Sequence, residues 1–152
     1  MAAGNVILFN TFREYVADGT IDLDTHTFKV QLHSSTFVPS AENDAVRADL
    51  SDELATAVGY TAAGATLANV TWTRSTTTVT LDADNVTWTA AGGSIVARYA
   101  VIYDDTPASP LDPLVGYILL DTTPADVTAT DGNTFNINWH ASGIVSLTGA
   151  TA

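Results

Sequence analysis

The chain has three imidazoles, His26, His33 and His140, and no two stand one helical turn apart as a zinc-binding pair would. The alternation around them reads as solvent-facing strand positions. Ser34, Ser35 and Ser142 lack the glycine elbow and neighbouring base that would activate a hydroxyl. Gly92-Gly93 is not followed by the Lys and Ser or Thr of a phosphate loop. There is no cysteine, which excludes disulfides, zinc thiolates and thiol nucleophiles. The pairs Asp22/Asp24, Asp82/Asp84 and Asp104/Asp105 have oxygens for calcium but not the loop spacing, glycine and distal Glu, so they read as turn formers. None has the apolar surroundings that a glycosidase acid needs. Trp72, Trp88 and Trp139 could stack on sugars, yet their alternation with Thr or Asn marks them as core. Arg98, in an apolar run, is expected to pair with Asp104 or Asp121 or to enter a subunit interface. These residues define no catalytic, cofactor or metal site, and the expectation is a protein without enzymatic activity.

The whole composition points the same way. At 152 residues one domain is expected, large enough for a full core. Only 14% of residues are charged, and 17 acids against 5 bases give a net charge of -12. Dense phosphate would be repelled, and the five cations Arg13, Lys29, Arg47, Arg74 and Arg98 are scattered, so nucleic acid is excluded as a partner. A basic protein partner, bound cations or a salty habitat would each tolerate the acidity. Twenty-four threonines and a preference for Asp over Glu, 14 to 3, favour pleated strands and turns over helices. No apolar stretch approaches the ~18 residues of a membrane span, and Met1-Ala2-Ala3-Gly4 is not a secretory start, so folding in the cytoplasm without a membrane is expected.

The elements follow from periodicity. Phe9, Phe12 and Val16 predict an amphipathic helix over 6–17, stopped by Gly19. Phe28, Val30 and Leu32 alternate with Lys29, Gln31 and His33 as a half-buried strand. Segment 34–45 reads as a loop, and Val46, Leu50 and Leu54 as one or two helical turns capped by Asp44 and Ser51. The motif Asn-Val-Thr-Trp-Thr occurs at 69–73 and 85–89, with Val79 and Leu81 between, predicting three adjacent antiparallel strands with one threonine face. Residues 95–103 are apolar on both faces, as are 114–120, and the intervening segment from Asp104 to Pro113 is a rigid, proline-rich loop. Asp131-Gly132 predicts a hairpin between 127–130 and 134–140, and Ile144, Val145 and Leu147 close the sheet. The expected fold is mainly β, an antiparallel two-sheet β-sandwich of jelly-roll or Ig-like type. It carries a short N-terminal helix and one helical turn region, with the sandwich over 26–148 and a mobile tail over 149–152.

Several stretches carry a family resemblance: Asn10-Thr11-Phe12, Gly19-Thr20-Ile21-Asp22-Leu23-Asp24-Thr25, Phe28-Lys29-Val30 and Gly59 through Leu67. Ala97 through Thr106 and Ser142-Gly143-Ile144 continue it. In this order they resemble a group of small tailed-bacteriophage virion structural proteins. Members often carry two adjacent glycines where Ala63-Gly64 stands here. The resemblance implies a head or tail accessory protein, with capsid decoration, or cement, preferred. Its partners would be the major capsid protein and itself, with a homotrimer the first expectation for assembly. The candidate contacts are Phe9 and Phe12 in the helix, Thr36, Phe37, Val38 and Pro39 in the first loop, Arg98, and Pro107 and Pro110 in the second. A neck or tail component, and a carbohydrate-binding module of a receptor-binding fibre, are the alternatives.

Overall fold

The computed structural model describes residues 5–149. The expectations for the start, 1–4, and for 150–152 of the tail lie outside these residues. Gly149 itself is tied down, its N–H donating to the Thr77 carbonyl at 2.7 Å.

The predicted helix over 6–17 divides in two. Ile7–Leu8 form β1, and the helix α1 occupies only Asn10–Ala17. The apolar run Val6-Ile7-Leu8 gains more by joining a sheet edge than by extending a helix, and Phe9 between them is extended. The Phe9 N–H donates to the Val115 carbonyl at 3.2 Å. Gly19, in the left-handed region at φ 81°, turns the chain after α1. Instead of the helical turns predicted over 46–54 there is one 3-10 turn, Arg47–Asp49. Asp49 caps it by accepting from the Ala45 and Val46 N–H groups at 2.9 and 3.0 Å. Leu54 then returns to the sheet, its N–H donating to the Leu32 carbonyl.

The protein is mainly β, and every ladder is antiparallel. One sheet of five strands joins β1 to β2 (Phe28–His33), β3 (Ala65–Thr66), β8 (Tyr99–Asp104) and β9 (Leu114–Leu119), in the order β1-β9-β8-β2-β3. A sheet of three strands comprises β4 (Thr71–Ser75), β5 (Thr78–Asp82) and β12 (Val145–Thr148), in the order β12-β5-β4. Two further pairs join β6 (Val86–Thr89) to β11 (Thr134–Ile137), and β7 (Ile95–Ala97) to β10 (Val127–Ala129). The pairs β5·β12, β6·β11, β7·β10 and β8·β9 are therefore nested one inside the next.

The strands fall into four hydrogen-bonded sheets. Their pairing corrects three expectations. The predicted three-strand meander stops at two, because β6 leaves β5 for β11. Polar groups make that departure: Asn69 Nδ2 donates to Asp84 Oδ2 at 2.6 Å, and Trp139 N–H to Asn85 Oδ1 at 2.9 Å. The single strand read over 95–103 breaks at Arg98, whose N–H donates to the His33 carbonyl while its carbonyl accepts from Leu120. The Asp131-Gly132 turn forms, but β10 and β11 on either side of it pair with other strands.

The main core lies on one face of the five-stranded sheet, where Phe28, Val30, Leu32, Ala100 and Ile102 meet Leu81, Ile95, Phe135 and Ile137 from the smaller sheets. Each of these side chains larger than alanine contributes ~1.5–3 kcal/mol by leaving water. Trp88 is buried there between Tyr60 and Phe135, with ring centroids 5.9 and 6.2 Å away. Trp72 and Trp139 are half-buried and pack against its edge. On the opposite face Phe9, Phe37, Val101, Tyr103 and Leu114 form a second cluster with Leu50. Strands β2 and β8 are thereby covered on both sides.

Candidate functional site

The structure separates the candidate contact residues. Phe9, Phe12 and Phe37 are buried, Phe12 in the main core and the other two in the second cluster, so as interior side chains they offer no surface to a partner. Their large apolar rings gain more inside the protein than they would at a shared surface. Thr36 is exposed and donates its hydroxyl to Asp52 Oδ1 at 2.9 Å. Val38 is 81% exposed, and Pro39, Pro107 and Pro110 are half-buried. Arg98 pairs with Asp126 at 2.9 Å, not with Asp104 or Asp121.

Backbone bonds gather the three nominated segments. Asn10 N–H, at the start of α1, donates to the Ala41 carbonyl at 2.8 Å. Leu114 N–H donates to Ala45 at 3.0 Å and Arg47 N–H to Asp112 at 2.9 Å, joining the two loops. Beside this junction, between the 3-10 turn and the second loop, lies a cleft of about 560 Å³, with Arg47, Gln31 and His33 at its base and Leu50, Pro110 and Leu111 among its walls.

Arg47 holds the cleft together. Its Nε–H donates to Gln31 Oε1 at 2.8 Å, and its terminal nitrogens donate to Glu53 at 3.3 Å and Asp112 at 3.4 Å. Its guanidinium carbon sits 5.2 Å from the Tyr103 ring centroid. The bonds then run in one direction. The Gln31 amide N–H donates to His33 Nε2 at 2.7 Å, and His33 Nδ1–H donates to the Ser51 carbonyl at 2.7 Å. This fixes the neutral Nδ1–H tautomer of His33. Burial pushes the imidazole below its ordinary value, partly opposed by the Ser51 carbonyl and by Glu53 and Asp52. Glu53 also accepts from the Tyr60 hydroxyl at 2.9 Å and from the Ala63 N–H. Burial pushes the Tyr60 and Tyr103 hydroxyls far up, so both stay protonated.

His33 and Gln31 are thus buried, correcting the half-buried strand expected there, whereas His140 is exposed as expected. His26 is half-buried and bonds Asp104 at 2.6 Å. Burial raises the Asp104 carboxyl while His26 and Thr106 hold it down. Most of the other acids of the three pairs have partners, Asp84 accepting from Asn69 Nδ2. Asp22 accepts from Asp24 and Thr25, Asp82 from Ala83, and Asp105 pairs with Lys29 at 2.8 Å. Among the described residues no group of three His, Asp or Glu converges as metal ligands. Trp72 and Trp139 line separate depressions, and the Trp139 indole N–H is taken by the Asp84 carbonyl at 2.9 Å.

The Arg47–Gln31–His33 chain at the cleft's base is thus a brace, and beside it the cleft presents apolar walls and the Asp112 carboxylate. Leu111 is 66% exposed at its wall. Leu111, Arg47 and Glu53 were not singled out from sequence. The available signal was a lone large apolar residue between Pro110 and Asp112 in an otherwise small, polar loop. No family model, curated protein or solved structure matches the chain.

Proposed function

We propose that the chain is a non-enzymatic structural protein of a tailed-phage particle, a decoration or cement protein seated on the outer surface of the head through the major capsid protein. The observation that carries this reading is the placement of Val38 and Leu111, the two most exposed large apolar side chains of the described residues. Both lie in loops that backbone bonds brace into one rigid unit. Side chains that cost free energy in water yet are held there by a braced scaffold suit a contact surface. The order of the virion-module motifs along the sequence supports the same reading. So does the nested pairing, which favours a jelly-roll sandwich over the Ig-like form, with the five-stranded sheet as one layer and the smaller sheets as the other.

A homotrimer on a symmetric shell would multiply the affinity of a modest patch through many copies. The test is titration of purified protein onto expanded heads assembled from the major capsid protein of the same phage, followed by counting copies in cryo-microscopy. Saturable binding at hundreds of copies is expected, whereas about a dozen would assign the chain to the neck or tail. Absence of binding would remove the decoration reading.

A further inference from the structure

We infer that the cleft between the 3-10 turn Arg47–Asp49 and the loop at 110–112 seats a short segment of a partner protein, one apolar side chain flanked by a Lys or Arg. The inference rests on the decoration reading for where that partner comes from, and it adds which surface binds and what chemistry is bound.

Three observations carry it. First, the walls are apolar and incompletely covered: Leu50 and Val46 are half-buried and Leu111 stands mostly in water. An aliphatic side chain entering between them would bury all three. Second, the cleft is electronegative. Arg47 faces two carboxylates, Glu53 and Asp112, so the site carries one uncompensated negative charge within a protein of net charge -12. Asp112 Oδ2 accepts from Arg47, and its Oδ1 has no partner among the described residues. A cation beside the apolar side chain would meet that oxygen, and an acidic segment would be repelled. Third, the site is already rigid. The Leu111 loop is pinned by the bridge Ala108↔Leu111 and by Arg47 N–H on the Asp112 carbonyl. Asp112 is in the left-handed region at φ 50°, a conformation that costs a non-glycine residue free energy and that the surroundings hold in place. Binding to a preformed wall loses little ordering entropy.

A second copy of this chain fits the cleft poorly. Lys29, Arg47 and Arg98 are already paired, which leaves Arg13 and Arg74 among the described residues. Their nearest large apolar companions in sequence, Phe12 and Trp72, are packed against the core.

The experiment compares the wild type, Leu111→Asp and the remote control Val96→Asp for binding to expanded heads. In parallel, a peptide of alternating Leu and Lys and its Leu/Glu counterpart are titrated into labelled wild-type protein by NMR. Leu111 is exposed, so its variant is expected to melt with the wild type, and Leu111→Ala serves if it does not. The expected result is a loss of about tenfold or more in head affinity for Leu111→Asp alone, as for a central contact residue. With it, the Leu/Lys peptide should shift the amides of Val46, Leu50 and Leu111, and the Leu/Glu peptide should not. If heads bind wild type and Leu111→Asp equally, the cleft inference is overturned while the decoration reading stands. If heads fail to bind but the Leu/Lys peptide shifts the cleft, the decoration reading falls and the cleft's specificity is supported. If neither binds, both fall. If Leu111→Asp instead dissolves an oligomer of the free protein, the occupant is a second copy and the inference is wrong.

Discussion

Ala63 and Gly64 stand side by side in the left-handed region, at φ 75° and 73°. They answer oppositely to substitution. A Cβ on Gly64 would lie 1.9 Å from the Val30 carbonyl oxygen in β2, so Gly64→Ala is expected to cost more than about 3 kcal/mol or to prevent folding. Ala63→Gly relieves a strained backbone and should stabilise by about 1 kcal/mol in urea unfolding. This explains physically why a second glycine suits the position. His33 sets a pH dependence. Its folded pKa lies below its ordinary 6.5, so the unfolded chain binds the extra proton, and the stability of the neutral form is lost as pH falls below that value. Asp104, raised by burial, acts in the opposite sense, its protonation favouring the folded state on acidification. Between about pH 7 and pH 5 the wild-type melting temperature should therefore fall more steeply than that of His33→Gln. Equal slopes would show that the imidazole's burial is not what couples stability to pH. In sequence, Gln31 and His33 look like a solvent face because alternation reports polarity. It cannot reveal that Arg47 and Ser51 satisfy both residues indoors.

At the scale of elements, the cleft depends on Arg47, which ties the 3-10 turn to β2 and to the proline-rich loop. Its side chain is 30% exposed, so the ion pairs are partly screened. Arg47→Ala is expected to cost about 1–3 kcal/mol, mostly through carboxylates and an amide left without their partner. Hydrogen exchange should then speed up in 45–54 and 105–113 together, and acceleration in only one segment would contradict the brace. Elements with strong local signals were legible: β2, β9 and the stop at Gly19 follow directly from alternation and backbone freedom. The helix start was misplaced because Val6-Ile7-Leu8 suits either state, and only the neighbouring edge of β9 decides between them. The proline-rich loop on one side of the candidate site was also legible, whereas the other side, 46–54, was read as helical turns and holds one 3-10 turn. Their joining was not legible, because it depends on backbone bonds such as Leu114 to Ala45 that no local pattern encodes.

Across the whole molecule, charge and topology set the behaviour. With a net charge of -12, folded copies and folded chains repel themselves, so moderate salt should raise the melting temperature, most steeply below ~0.15 M where screening is weakest. Pairing order was the least legible level. The strands predicted as sequence neighbours, β5 with β6 and β10 with β11, instead find partners farther along the chain, in β12, β11, β7 and β6. That arrangement has a kinetic corollary. The innermost pair, β8 with β9, closes across the short loop at 105–113, and once it has formed, every outer pair begins with its ends already near one another. Assembly of 78–148 can thus run like a zip fastener outward from the loop at 105–113, each step avoiding most of the entropy of a long search. Pulse-labelled amides in β8 and β9 should become protected before those in β12, the outer member of the widest nested pair.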